Sequence, residues 1–422
     1  MLSPMLLAFA VAVFAASTLG LFLLVEPIPS WYYHLAWWSY IVGLDEVNRR
    51  LSGRSLLSRP ARLLWLAGVS VAWWTLFEAM NLRLGNWYYV MDDPRRWVRW
   101  ARGIAAFATV LPGIVVTLTF IEDRGWLRTV RVPALSWSAA RDRACWVLGL
   151  AGFAVPLLWP RYFFALTWTW AALLIEPWNR RHATRSYLRN LEHGQAGPLC
   201  QTLAAGLVCG LLWETWNFWA RTKWIYTVPF FDRFKLFEMP VLGMVGFAPF
   251  AVQCLALVRF LQAMGDRRRP TLALRVTAWA AAAGFTAVVF AAGEGVTVDS
   301  YYVPVRELRV LESGTRERLA ALGLVSPEKL ARALDAAEDR GRWEERSGLT
   351  LQELERAQAA VRLVLRHGLG ERRALELRTL GIRTVDELPR WRAEDLAAAL
   401  CANDPRRSAR FLERRARVWV GG

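Results

Sequence analysis

The chain repeats itself, and the repeated units are apolar. WYYHLAWWSYIVGLDEVNRRLSGRSLL from Trp31 returns as YFFALTWTWAALLIEPWNRRHATRSYL from Tyr162, setting Trp37 over Trp168, Asp45 over Glu176, Asn48-Arg49-Arg50 over Asn179-Arg180-Arg181, and Arg54-Ser55 over Arg185-Ser186. FEAMNLRLGNWYYV from Phe77 then returns as WETWNFWARTKWIYTV from Trp213, pairing Glu78 with Glu214, Asn81 with Asn217, Trp87 with Trp224 and Tyr89 with Tyr226, and Pro112 pairs with Pro249. A duplicated unit restricts topology strongly, because both copies must bury the same face.

Apolar stretches near spanning length run approximately 4–25, 31–47, 63–81, 103–121, 145–159, 161–178, 199–219, 240–262 and 272–292, which predicts about nine membrane helices. Each repeat holds four, an even number, so the halves share one orientation about an axis along the membrane normal, and the ninth helix stands outside the duplication. The fold class expected is all-α: a polytopic membrane helix bundle of two parallel four-helix repeats plus a ninth helix, with a small helical C-terminal domain. The boundaries are 1–143, 144–265, 266–302 and 303–422. Most of the 24 Trp are explained as interfacial belts, and the net charge of +17 as arginines beside apolar segments rather than nucleic-acid binding. If the loops carrying Arg49 to Arg62, Arg180 to Arg189 and Arg267 to Arg269 are cytoplasmic, the C-terminal domain is extracytoplasmic in a bacterial inner membrane. Arg95, Arg96, Arg99 and Arg102 on the outer connection run against this rule. Leu2 to Val25 lacks a basic n-region and cleavage site, so a retained helix is expected rather than a signal peptide. The five cysteines form no CxxC pair and suggest neither a metal site nor a disulfide framework.

Near Val303 the composition turns charged and helix-forming. RLAALGLVSPEKL from Arg318 matches ELRTLGIRTVDEL from Glu376, each read as a helix, a tight Gly turn at Gly323 or Gly381, and a second helix capped by Ser326 or Thr384. These units resemble helix-hairpin-helix motifs. Charge is nearly balanced there, which favours a protein partner or dimer contact over DNA.

Both repeats place an acid three residues before an Asn, which shares its helical face: Asp45 with Asn48 and Glu176 with Asn179 at one end, Glu78 with Asn81 and Glu214 with Asn217 at the other. Carboxylates at membrane depth are expensive and mark functional sites by default. The proposed catalytic set is Glu78, Glu214, Glu238, Asn81 and Asn217, with the two symmetry-related glutamates close enough to share a proton and the asparagines orienting them. Trp74, Trp87, Trp213, Trp216, Trp224 and Tyr226 form the binding walls, since aromatic faces stabilise cations in dry surroundings. The competing reading makes each acid–Asn pair a polar clamp between helices.

The pattern Glu214-x-x-Asn217, Trp224-x-Tyr226, Phe237-Glu238-x-Pro240, Gly243-x-x-Gly246-Phe247-x-Pro249-Phe250 resembles the integral-membrane lycopene cyclase and carotenoid hydratase proteins of bacteria. The resemblance covers roughly 200–260 and more faintly 74–117. It implies cofactor-free protonation of a hydrophobic isoprenoid, with Glu214 and Glu238 as the acids. The adjacent Glu-Glu pair of the cyclases is absent, and the tail has no counterpart there. Two alternatives stand beside it: prenyl transfer, with the cytoplasmic acids on Mg²⁺ and the arginines on a diphosphate, and a non-enzymatic membrane receptor, transporter or scaffold whose tail recruits a protein.

Overall fold

The computed structural model describes residues 3–230, 234–335, 337–402 and 408–421. Helix dominates them, and the elements follow the apolar stretches: α1 (Ser3–Phe22), α2 (Ile28–Ser52), α3 (Pro60–Leu84), β1 (Trp87–Val90), α4 (Arg96–Phe107), α5 (Val110–Asp123), α6 (Ala139–Leu158), α7 (Pro160–Phe163), α8 (Trp170–His182), α9 (Tyr187–Glu192), α10 (Gly197–Trp219), β2 (Lys223–Tyr226), β3 (Lys235–Leu236), β4 (Met239–Pro240), α11 (Val241–Met244), α12 (Phe247–Arg268) and α13 (Leu272–Gly293).

Five helical stretches among the described residues are long and apolar enough to cross a membrane: Met5–Phe22, Pro60–Leu84, Arg96–Asp123, Val241–Arg268 and Leu272–Gly293. They mark a membrane protein, with fewer such stretches than the nine expected. α2, α6 and α10 have the length but carry polar residues that lower their hydropathy; Asp45, Glu46, Asn48, Arg49 and Arg50 crowd the last turns of α2. Exposed Phe9, Val147 and Val288 stand on α1, α6 and α13, as expected of helices whose outer faces are apolar.

The single helix expected over 161–178 is broken. α7 passes into a 3₁₀ turn over Phe164–Trp168 before α8 begins. The break frees backbone groups, and the buried Gln253 side chain meets them, accepting from Ala171 N at 3.3 Å and donating to Thr167 O at 3.4 Å. Irregular backbone survives at membrane depth only when it is satisfied or walls a cavity.

At the Arg-rich end the acids hold loops. Asp45 accepts from Ser55 Oγ and Leu56 N, both at 2.6 Å. Glu176 accepts from Ser186 Oγ at 2.9 Å and Tyr187 N at 2.8 Å. Asn48 and Asn179 each donate at 2.9 Å to a carbonyl of a neighbouring helix, Val116 and Ala256. These pairs therefore act as clamps.

At the other end β1 and β2 pair antiparallel, Trp87 opposite Tyr226 and Tyr89 opposite Trp224. The segment after α13 runs beside β1: Tyr89 N donates to Thr297 O at 2.7 Å and Asp299 N to Tyr89 O at 2.9 Å. Side chains alternate across such a ribbon. Trp87, Tyr89, Trp224 and Tyr226 pack into the main apolar cluster with the helices, while Tyr88, Val90 and Ile225 form a separate cluster with Leu365 and Val418 of the tail.

The tail comprises α14 (Ser313–Ala321), α15 (Pro327–Asp335), α16 (Ala337–Ser347), α17 (Leu351–Leu365), α18 (Gly370–Thr379), α19 (Ala393–Ala402) and α20 (Ala409–Val420), built around a core of its own that includes Leu319, Leu330, Val361, Leu377 and Trp419. Gly323 and Gly381 adopt φ of +86° and +83°, and the matching bonds Leu324 N to Leu319 O and Ile382 N to Leu377 O close both turns at 3.2 and 3.0 Å. This is the Schellman pattern of a helix C-terminus. The second unit departs from expectation: after Gly381 the chain forms a 3₁₀ turn over Val385–Arg390 instead of an α-helix, where Pro389 removes a donor.

Candidate functional site

Trp74 and Glu78 lie four residues apart on α3 and so share a face, and the inward side chains of β1 close over them. Glu78 Oε1 accepts from Trp74 Nε1 at 3.0 Å, Trp87 Nε1 at 3.1 Å and the Tyr89 hydroxyl at 2.5 Å. Its Oε2 has no hydrogen-bond partner among the described residues, and Glu78 borders a cavity of about 150 Å³.

Aromatic rings wall that cavity. Trp168, delivered by the break before α8, stacks on Phe77 at 5.7 Å and 5°, and Phe250 meets Trp168 and Trp74 edge-on, each at 5.7 Å. Trp213 lies 4.9 Å from Trp74. A charged rim borders the cavity toward residues 92–102. Arg102 pairs with Asp92 at 3.0 Å, Arg99 with Glu294 at 2.9 Å, and Lys223 with Glu238 at 2.6 Å.

The surroundings of Glu214, which matches Glu78 in the sequence repeat, are filled. Gly210 stands where Trp74 stands in the first copy, and the Phe247 ring occupies the space beside it, 2.3 Å from where a Cβ would be. Gly113, the counterpart of Phe250, likewise leaves room for Trp37, which packs 4.9 Å from Trp216. Glu214 is fully buried, accepts from Tyr226 alone at 2.8 Å, and leaves Oε2 buried and unpartnered. Glu78 borders the cavity and Glu214 is enclosed by packing.

The expected site is thus brought together in part. Glu78, Trp74, Trp87, Trp213, Trp224 and Tyr226 line the cavity, whereas Glu214 and Trp216 do not. The two glutamates are not hydrogen-bonded to each other; Trp87, which donates to Glu78, stands opposite Tyr226, which donates to Glu214. Asn81 and Asn217 do not orient carboxyls. Asn81 donates to Trp87 O and Asn217 to Trp224 O, both at 2.9 Å, fastening each helix end to its strand. Glu238 faces a different crevice, with Phe237, Lys223 and His367. Trp168, His34, Arg99, Arg102 and Glu294 were not anticipated as lining. The arginines that broke the topological charge rule were the available signal for the rim.

Residues 311–421 match a family described as a domain of unknown function (DUF4332). No curated protein and no solved structure matches the chain.

Proposed function

We propose that this protein is a multi-pass membrane enzyme in which Glu78 protonates a double bond of an apolar isoprenoid, without a cofactor. The observation that carries the reading is the asymmetry of the Glu78 carboxyl: Oε1 is fixed by three donors, while the side chain borders an aromatic cavity. A proton on Oε2 passes to an alkene carbon; the new C–H bond forms as the O–H bond breaks, leaving a carboxylate and a carbocation between indole faces. Return of a neighbouring proton to the carboxylate completes an isomerisation or cyclisation, and capture of water, whose proton passes to the carboxylate, gives hydration.

The resemblance to bacterial lycopene cyclases and carotenoid hydratases supports this reaction class, with Glu78 in the role first expected of Glu214 and Glu238. In the same reading the chain is two parallel four-helix units plus one helix in a bacterial inner membrane, with the Arg-rich loops cytoplasmic. The helix-hairpin-helix-like tail lies outside and docks a protein rather than nucleic acid. Mass spectrometry of apolar compounds retained through purification tests the proposal: a polyene or prenyl lipid, converted by the native chain and unchanged by Glu78→Gln, supports it. Retention of polar solutes, or full turnover by Glu78→Gln, overturns it.

A second reading is a lipid receptor, favoured by the ribbon itself, which touches the cavity with one face and the tail with the other. Binding without turnover in both native and Glu78→Gln protein would select it.

A further inference from the structure

The cavity has a direction, and helices from three parts of the chain agree on it. Along α4, bordering residues pass from Arg99 and Arg102 to Ala106 and Phe107; along α13 they pass from Glu294 back to Phe290 and Val289. Along α3, the bordering Trp74 lies one turn below Glu78. At 1.5 Å per residue the charged and apolar ends of α4 are separated by about 10 Å. An occupant that matches this gradient has one polar end and one hydrocarbon end.

The polar end selects the kind of head. Each cation on the rim already has a carboxylate: Arg99 has Glu294, Arg102 has Asp92 and Lys223 has Glu238. Glu294 is shared with Arg96, so an anionic head would have to compete with these carboxylates for guanidinium groups they already hold, and burying a charge without a counter-charge of its own is costly. His34, only 9% exposed, supplies the second observation. Its Nε2 lies 2.9 Å from the Arg102 carbonyl, which only accepts, so Nε2 holds the proton and Nδ1 of the neutral ring is an acceptor. That Nδ1 is buried without a partner, as are the Nε donors of Arg99 and Arg102. All three residues line the cavity, and an acceptor together with donors suits a hydroxyl, which gives one hydrogen bond and takes others.

We infer that the cavity takes a prenyl alcohol, its hydroxyl beside His34 and Arg102 and its chain running past Glu78 toward Phe107. This rests on the isoprenoid reading and narrows its substrate class to a single-headed, uncharged amphiphile.

The test uses the full chain in lipid nanodiscs, offered an equal mixture of a C20 prenyl alcohol, its diphosphate and an isoprenoid hydrocarbon of equal carbon number. The retained probes are quantified by mass spectrometry. The alcohol is expected to be retained about tenfold over either competitor, the scale of a buried hydrogen bond or two. His34→Leu is expected to erase its advantage over the hydrocarbon. Equal or greater retention of the hydrocarbon overturns the alcohol assignment while leaving protonation by Glu78 standing, and preference for the diphosphate overturns it in favour of an anionic head. If none of the three is retained, the isoprenoid reading itself falls. Should His34→Leu not fold, the ranking on the native chain decides.

Discussion

At the scale of single residues, two glutamates with one sequence context have different surroundings. Glu78 receives indole donors from Trp74 and Trp87, whereas the counterpart of Trp74 is Gly210, and Glu214 keeps only Tyr226. Glu214→Gln preserves an acceptor for Tyr226 and is expected to leave both fold and turnover intact. Glu214→Leu strands the buried Tyr226 hydroxyl, which corresponds to a loss of about 1–3 kcal/mol in thermal or denaturant unfolding. Abolished turnover in well-folded Glu214→Gln would restore the shared-proton pair and remove the assignment to Glu78 alone. The acid and its neighbours were legible because they occur twice. Which copy stays open was not, since it depends on size exchanges, Trp74 for Gly210 and Gly113 for Phe250, whose effect exists only once rings are placed in space.

At the scale of elements, the ribbon of β1 and β2 joins the two parts of the molecule. Its apolar stretches are too short to read as more than belts, and WYYV and KWIY mix aromatic and β-branched residues that suit a strand as well as an interface. The alternation that sends Trp87 and Tyr89 inward and Tyr88 and Val90 outward becomes visible only with the register. Gly368 is where the tail meets the outer face: its φ is +65°, and an added Cβ would lie 2.4 Å from Val90 Cγ2. A side chain there faces both left-handed backbone strain and overlap, so Gly368→Ala is expected to weaken docking of the tail by at least 1–2 kcal/mol, order of magnitude ~1 from the backbone alone. Faster cleavage of the 294–302 connection, which runs beside β1, in limited proteolysis, with unchanged helicity, is the expected reading. Native protease resistance in Gly368→Ala would show that this contact does not hold the tail.

At the scale of the whole molecule, the residues that follow the change of composition near Val303 share a core, and composition gave no sign of how firmly that part is seated. The seat is Asp299, buried and paired with Arg373 at 2.8 Å and Arg415 at 2.6 Å. Burial alone would raise this carboxyl, but Arg415 and Arg373 more than offset it and hold it down at about 2. An undocked aspartate titrates near ~3.9. A carboxyl depressed in the assembled state stabilises that state fully above its free value and ceases to do so as the pH falls through its bound value. The contribution, between about 2 and 3 kcal/mol at roughly 1.4 kcal/mol per unit, is therefore expected to be constant from neutrality down to about pH 4 and lost between about 4 and 2. Below that range two buried guanidinium groups face a neutral acid, and the tail should leave the ribbon while both parts remain helical. Protease sensitivity of the connection, followed against pH, gives the midpoint. Asp299→Asn should show the undocked pattern already at neutral pH, and a native chain whose connection stays protected at pH 2, or opens near pH 6, would rule out this ion cluster as the seat.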